Sequence, residues 1–178
     1  SDNRFKIESN INNYYGLYND ANEADGVWIA ASGSLTGVDT ITGYDGTGSA
    51  ERLSFRATST GGNKTCGLIL NKALASGDDL LVSFNVKINS GTPSITIRSS
   101  STTTAEIVEE DFIQLVEGFN SHNFNVNVAA SAPFLAIQDS EAFDVQLKDL
   151  KISRIARNGL VETWYDQSGN GNDATQAT

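Results

Sequence analysis

The clearest β-strand pattern in this chain is Leu80-Leu81-Val82-Ser83-Phe84-Asn85-Val86-Lys87-Ile88. Every second residue of this stretch is apolar, and Ser83, Asn85 and Lys87 lie between the apolar positions. An alternation with a period of two places one row of side chains on a core and the other row in water. The pattern therefore predicts a half-buried strand over residues 80–88.

The same alternation recurs on both sides of this stretch. It predicts strands over residues 51–58, 94–99, 122–128 and 143–155. Shorter apolar runs predict further strands near residues 27–31, 66–70, 113–117 and 134–138. Clusters of Gly, Ser, Asn, Asp and Pro separate these segments and favour turns. The chain is therefore expected to consist mainly of short strands joined by tight connections.

The segment 143–155 has an irregularity in its alternation. Phe143, Val145 and Leu147 share one parity, whereas Leu150 and Ile152 share the other. Such a shift would point every later apolar side chain towards the solvent, unless a β-bulge inserted one extra residue. We therefore predict a β-bulge near residues 148 and 149.

Helical periodicity is nearly absent, and residues 104–112 are equally compatible with a helical turn and a loop. Many short strands without helices between them require antiparallel pairing, in a sandwich or a barrel. We predict an all-β fold, a jelly-roll β-sandwich of two antiparallel sheets, in preference to a closed barrel.

The composition excludes several classes of function. A formal net charge of -10 and a sequence pI near 4.4 argue against nucleic-acid binding, which needs clustered Lys and Arg. No apolar run is long enough to span a membrane, so membrane insertion is not expected. The single cysteine, Cys66, has no partner for an internal disulfide and is interpreted as a small buried apolar side chain.

Aromatic side chains in the first quarter of the chain are candidates for carbohydrate binding, because flat rings stack on the apolar faces of sugars. The candidates are Tyr15, Tyr18, Trp28 and Tyr44. Trp28 lies between Val27 and Ile29, so core packing is the competing interpretation and the favoured one. The tyrosines have no apolar alternation around them, and surface binding competes evenly with loop anchoring.

Short polar side chains form a second group of candidates. Asn123, Asn125 and Asn127 share one parity of the predicted strand over residues 122–128. Asn85 and Arg98 join them if their strands are neighbours, which would give a ladder of hydrogen-bonding groups along a glycan groove. A solvated sheet face is the alternative, although Asn is a poor strand former.

Acidic residues are interpreted as calcium ligands or as exposed loop residues. Carboxylate and carbonyl oxygens in loops suit calcium, and the candidate ligands of a structural Ca2+ ion are Asp78, Asp79, Asp144 and Asp149. No pair of carboxylates has the setting of an acid and a base, and no nucleophile has a recognisable histidine partner. The chain is therefore predicted not to be an enzyme.

The last stretch is Trp164-Tyr165-Asp166-Gln167-Ser168-Gly169-Asn170-Gly171-Asn172-Asp173-Ala174-Thr175. Its Gly and Asn residues favour turns, and no apolar strand follows them. Together with a first residue Ser1 and the absence of methionine, this leads us to expect a piece of a longer polypeptide. We predict one module over residues 1–156, then a linker and the lightly packed start of another domain over residues 157–178.

The order and spacing of four segments along the chain can be compared with those of known protein families. They are Gly26-Val27-Trp28, Glu51-Arg52-Leu53-Ser54-Phe55, Leu81-Val82-Ser83-Phe84-Asn85-Val86-Lys87 and Val145-Gln146-Leu147-Lys148-Asp149-Leu150-Lys151-Ile152. This order resembles that of jelly-roll carbohydrate-binding modules, over residues 5–156. The resemblance implies that the Trp-bearing strand lies beside the last long strand. It also implies that sugar binds a concave sheet face or the loops at one end.

The stretch over residues 164–175 resembles the opening motif of concanavalin-type, laminin-G-like sandwiches. A similar motif is familiar in bacteriophage tail-fibre and minor structural proteins, where it begins a lectin-like domain. This resemblance implies a virion (tail) protein, or one that is extracellular or at a cell surface.

The function predicted from these features is a non-catalytic glycan-binding module of a larger phage tail or surface protein. Its partners would be host or environmental polysaccharide and the neighbouring domains of the same polypeptide. One alternative is a structural spacer or assembly domain of a virion fibre, which would bind no small ligand and could form a homotrimer in the full-length protein. A second alternative is an enzyme fragment whose active site lies downstream.

Overall fold

The computed structural model describes residues 28–51, 53–70, 72–109, 112–155, 163–164 and 174–175. These ranges contain strands and no helix, and hence no helix that could cross a membrane. The strands in chain order are β1 Ile29–Ala30, β2 Thr36–Gly37, β3 Thr40–Thr42, β4 Phe55–Ser59, β5 Lys64–Ile69, β6 Asp79–Ser90, β7 Ser94–Arg98, β8 Ile113–Gln114, β9 Gly118–Asn125, β10 Phe134–Asp139, β11 Phe143–Ile155, β12 Thr163–Trp164 and β13 Ala174–Thr175.

The strands β1 to β11 form two sheets. Sheet A has the order β3-β4-β11-β6-β9, and sheet B has the order β1-β5-β10-β7-β8. All neighbours in these two orders are antiparallel. The short strand β2 is an exception to the predicted antiparallel pairing, because it runs parallel to β5.

The path of the chain between the sheets is that of a jelly roll. From β4 to β7 the chain alternates between sheet A and sheet B, and after β8 it alternates again from β9 to β11. As a result β11 lies between β4 and β6, and β10 lies between β5 and β7. These nested long connections are the two Greek keys of a jelly roll, which confirms the predicted fold class.

The core lies between the two sheets and is filled by the apolar rows of their strands. Phe55, Phe84, Phe124 and Phe143 are fully buried there, and burial of each such side chain stabilises the fold by about 1.5–3 kcal/mol. The apolar row predicted from residues 80–88 is buried from Leu80 to Val86. Cys66 is also buried, and burial raises the pKa of its thiol, so it packs as an apolar group as predicted.

The predicted β-bulge is present in β11. The pairing of β11 with β6 shifts between Lys148 and Lys151, and the backbone of Asp149 is left-handed with φ of 60°. This irregularity keeps Leu147, Leu150 and Ile152 in the core despite their different parity. A second shift, which the apolar pattern did not indicate, lies between Asp144 and Val145.

The prediction for residues 122–128 was wrong at both ends. The strand β9 begins at Gly118 and ends at Asn125, and Val128 is 54% exposed instead of buried. After Asn125 the chain leaves sheet A and pairs with the segment over residues 106–109, where Val126 bridges Val108. The described residues of the segment 104–112 form neither helix nor strand and make only isolated bridges, at Glu106 and Val108, so this part of the chain is a loop.

The first Trp-bearing strand does not lie beside the last long strand, contrary to what the family resemblance implied. The strand β1 pairs with β5 in sheet B, whereas β11 pairs with β4 and β6 in sheet A. In the last stretch, β12 pairs with β13 through Thr163 opposite Thr175 and Trp164 opposite Ala174. The prediction of a lightly packed start of another domain stays a prediction.

Candidate functional site: a polar cleft on sheet B

The outer face of sheet B, which points away from the core, carries polar side chains at one end. Ile95 and Ile97 of β7 lie in the core, so Thr96 and Arg98 point to the outer face. On the neighbouring strand β10, Gln138 points the same way, because Ile137 lies in the core. Thr96, Arg98 and Gln138 therefore share one surface.

Arg98 is the most unusual residue of this surface, because it is a cation that is only 2% exposed. Its Nη2 donates a hydrogen bond to Oε1 of Gln138, and its Nε lies 3.7 Å from Oε1 of Glu106. Within the described part of the chain, Nε and Nη1 have no hydrogen-bond partner. Burial lowers the pKa of Arg98, and the carboxylate of Glu106 opposes this shift.

Thr96, two residues before Arg98 on β7, also has a buried polar group. Its side chain is fully buried, and its Oγ1 has no hydrogen-bond partner among the described residues. A buried donor or acceptor that is left unsatisfied costs about 1–3 kcal/mol. Buried polar groups without partners are uncommon in folded proteins, so each one calls for an explanation such as strain, a functional role or a bound water.

A cleft opens over this surface and consists of two adjoining hollows. The larger has a volume of about 630 Å³ and includes Arg98 and Glu106 in its lining. The smaller has a volume of about 320 Å³ and includes Asp139. Asn63, Phe112 and Gln138 line both hollows, so the two are continuous.

Phe112 gives the cleft an aromatic surface. It directly precedes β8, and 46% of its surface is exposed, whereas the next residue, Ile113, packs against the core. Hydroxyl and amide groups surround it in the cleft, contributed by Ser34, Asn63, Thr104 and Gln138. An exposed ring among short hydrogen-bonding side chains suits a ligand that has both apolar faces and hydroxyl groups.

The outer face of sheet A is different, since many of its polar side chains pair with one another. Arg56 binds Asp144 through two hydrogen bonds, from Nε at 2.9 Å and from Nη2 at 2.6 Å. Asn89 Nδ2 donates to Asp144 and to Gln146, and Gln146 donates to the backbone carbonyl of Tyr44. These contacts, chiefly the hydrogen bond from Arg56, hold the pKa of Asp144 below its usual value.

Two of the predicted aromatic candidates have a described position, and neither lies in the cleft. Trp28 is 2% exposed and stacks on Phe55 with the ring centroids 4.0 Å apart, so it cannot offer its ring to a sugar. Tyr44 is half-buried over sheet A, where the Nζ of Lys148 lies 5.5 Å from its ring centroid. Tyr15 and Tyr18 lie outside the described residues.

The predicted asparagine ladder forms only in part. Asn123 lies on the outer face of sheet A opposite Leu81, and Asn125 lies opposite Asp79, so these two share the surface of Asn85. Asn127 lies beyond the end of β9, where its backbone amide donates to Ile107. Arg98 does not join the ladder, because its strand belongs to sheet B.

The four predicted calcium ligands do not come together. Asp79 begins β6, whereas Asp144 pairs with Ser90 at the other end of that strand. Asp78 accepts a hydrogen bond from Ala75 and pairs with Arg154 at 3.0 Å, and Asp149 accepts a hydrogen bond from Asn85. Among the described residues, no three His, Cys, Asp or Glu side chains are grouped as metal ligands. These residues therefore do not fit one calcium site, and calcium binding by the chain stays a prediction.

The sequence interpretation missed Asn63, Glu106, Phe112 and Gln138, which line the cleft, and the buried Thr96 on the same face of sheet B. One signal was present for Phe112, because it directly precedes Ile113, the first residue of a predicted strand, and successive side chains of an extended chain point to opposite sides. No comparable signal marked Thr96 or Gln138, since their importance comes from which strands are neighbours.

No protein-family model and no curated protein matches this sequence. Carbohydrate-binding modules are among the solved structures that are similar to it. A point mutant of a family 29 carbohydrate-binding module is 14% identical, with 79% of this chain and 89% of that chain covered and a TM-score of 0.47. The N-terminal modules of endo-1,4-β-D-xylanase 10B from Clostridium thermocellum, complexed with xylohexaose, are 16% identical. The match covers 80% of this chain and 29% of that chain, with a TM-score of 0.49.

The similar structures also include a protein of another kind. The adhesin domain of Epf from Streptococcus pyogenes is 17% identical, with 86% of this chain and 65% of that chain covered and a TM-score of 0.45. Likenesses this distant carry over neither a ligand nor a binding residue. The function therefore has to be inferred from the cleft itself.

Proposed function

We propose that this chain is a non-catalytic glycan-binding module and that the cleft on sheet B is its binding site. The observation that carries the proposal is that the exposed phenyl ring of Phe112 lines the same hollow as the buried, incompletely paired guanidinium of Arg98. A hydroxyl-rich ligand supplies hydrogen-bond partners for the polar groups that line the cleft and an apolar face for the ring.

The cleft also has the size of an oligosaccharide site. Its larger hollow, of about 630 Å³, lies within the range of about 300–1,000 Å³ that is typical of small-molecule sites. Amide, hydroxyl, carboxylate and guanidinium groups all line it, so both donors and acceptors face the ligand. A sugar hydroxyl donates and accepts at once and is suited to such a lining.

We propose in addition that the module recognises polysaccharide at a host surface, as part of a phage tail or another surface protein. The motif over residues 164–175, with its similarity to the start of lectin-like domains, supports this context. Binding of the labelled protein to intact bacterial cells tests it. Loss of that binding when the cell-surface polysaccharide is removed enzymatically is the expected result, and unchanged binding would contradict it.

The proposed site is tested first with an array of neutral and acidic oligosaccharides, followed by isothermal titration of the best ligand. Phe112→Ala is expected to lower the affinity for that ligand about tenfold or more, which corresponds to a loss of about 1.4 kcal/mol of binding free energy. The thermal stability should change little, because the ring is half-exposed.

Val116→Ala is a matched control, since Val116 is also an exposed apolar residue beyond β8 and does not line the cleft. This variant should bind as the wild type does. Failure of every oligosaccharide to bind would overturn the proposal and favour a structural spacer, and equal affinities of wild type and Phe112→Ala would remove the cleft as the site.

A further inference from the structure

The outer face of sheet A contains a groove on the opposite side of the sandwich from the cleft. Its volume is about 460 Å³, and its lining includes Leu53, Ser83, Asn85, Phe119, Asp149 and Lys151. Asn85 was a predicted binding residue, and Tyr44 lies close by, over Lys148, which pairs with Asn85. The groove is therefore separate from the site described above and contains residues which that site does not use.

Phe119 forms the apolar wall of this groove. It lies on β9, the edge strand of sheet A, directly opposite Asn85, and 67% of its surface is exposed. It is the most exposed large apolar side chain among the described residues. A phenyl ring in this position contributes little to the core and leaves one face open to a ligand.

The opposite wall is polar, and its geometry is set by the β-bulge. The left-handed backbone of Asp149 turns its side chain towards Asn85, whose Nδ2 donates a hydrogen bond to Oδ2 at 3.0 Å. Bulges commonly redirect a side chain next to a functional site. The amide and the carboxylate are thus held in place before a ligand arrives, which lowers the entropic cost of binding.

The charges in the groove favour an uncharged ligand. Asp149 and Lys151 contribute one negative and one positive group to the lining, and Ser83 adds a hydroxyl. Within the described part of the chain, Ser83 and Lys151 have no side-chain hydrogen bond. One apolar wall and one polar wall with balanced charge suit a molecule with an apolar face and a rim of hydroxyl groups.

We propose that this groove is a second glycan site, for one or two units of a neutral sugar chain. The inference rests on the proposed function, because it extends the same ligand class to the opposite face. The size is consistent with it, since the lining spans the three neighbouring strands β11, β6 and β9, about 10 Å across, and two outward residues of β6, about 7 Å along the strand.

Two sites on opposite faces would make the module bivalent. A short oligosaccharide cannot reach both faces, so each site fills independently. A long polysaccharide can bind one module at either face and join several modules, which raises the overall avidity without any new contact.

The test is isothermal titration of the intact chain with hexaoses of neutral β-glucan, xylan and mannan. The wild type should bind two molecules of the best hexaose, and Phe119→Ala and Phe112→Ala should each bind one. Val116→Ala should keep both sites. Sedimentation velocity of the wild type and of Phe119→Ala is measured alongside, to detect contact between copies of the chain.

The outcomes separate this inference from the proposed function. One bound hexaose that only Phe112→Ala removes would overturn the second site and leave the cleft as the binding site. One bound hexaose that only Phe119→Ala removes would support the groove and overturn the cleft. No binding to any hexaose overturns the second site, and a self-association that Phe119→Ala abolishes would assign the groove to a second copy of the chain.

Discussion

The two outer faces of the sandwich both carry polar side chains, but the side chains are paired differently. On sheet A, Arg56, Asp144, Asn89 and Gln146 form a network in which the charged groups have partners. On sheet B, Arg98 is almost completely buried, and part of its guanidinium lacks a hydrogen-bond partner among the described residues. A polar sheet face alone is therefore weak evidence of a binding site, and what distinguishes sheet B is the buried, incompletely paired Arg98 in the lining of a cleft.

The largest expected effect is a loss of stability when an aromatic side chain is removed from the core. Trp28→Ala should destabilise the protein by about 3–5 kcal/mol, because it removes a buried ring that stacks on Phe55. Chemical denaturation measures this change. The milder Trp28→Phe keeps the fold and should bind glycans as the wild type does, so a loss of affinity in a folded Trp28→Phe would show that the aromatic site had been misassigned.

The variant Arg98→Met tests whether Arg98 on sheet B serves ligand binding instead of stability. It keeps an apolar stem in the buried position and removes a charge whose desolvation is poorly compensated, so the melting temperature should stay the same or rise. Glycan affinity should fall about tenfold or more, since a hydrogen bond to a charged group contributes about 1.5–3 kcal/mol.

Thermal unfolding and titration of the same Arg98→Met preparation measure both effects. A large fall in the melting temperature with unchanged affinity would reverse the interpretation and make Arg98 a structural residue.

The smallest expected effect is on sheet A, where Asp144→Asn removes the ion pair with Arg56. The pKa of Asp144 is lowered in the folded state, so the pair stabilises the protein above the unfolded value of about 3.9. That contribution is lost as the pH falls through the lowered folded value. The effect is modest because both side chains are partly exposed to water and salt.

Urea denaturation at neutral pH and near pH 3 compares Asp144→Asn with the wild type. The difference in unfolding free energy should be greatest at neutral pH and should shrink in acid, while the affinity of the cleft stays unchanged. A difference that grew as the pH fell would contradict the assigned ion pair.

Much of the fold could be predicted from local patterns in the sequence. A period of two indicates a strand and its inward face, and a change of parity between Leu147 and Leu150 was enough to predict the bulge in β11. These properties depend on neighbours in sequence. The ends of β9 were harder, because pairing with the segment over residues 106–109 ends that strand.

The candidate sites could be predicted only in fragments, because they depend on which strands are neighbours. Asn85 and Arg98 looked equivalent in sequence, yet their strands belong to different sheets. Asp79 and Asp144 looked like partners for one cation, yet they lie at opposite ends of a twelve-residue strand, roughly 35 Å apart. Phe119 was missed because its predicted strand was placed four residues too late.

The most direct test of the cleft as a glycan site is a titration of the isotopically labelled protein with its best oligosaccharide, followed by NMR. The backbone amides of Thr96, Phe112 and Gln138 and the Nε–H of Arg98 should shift as the ligand is added. Saturable binding that leaves these four signals unchanged would contradict the central claim.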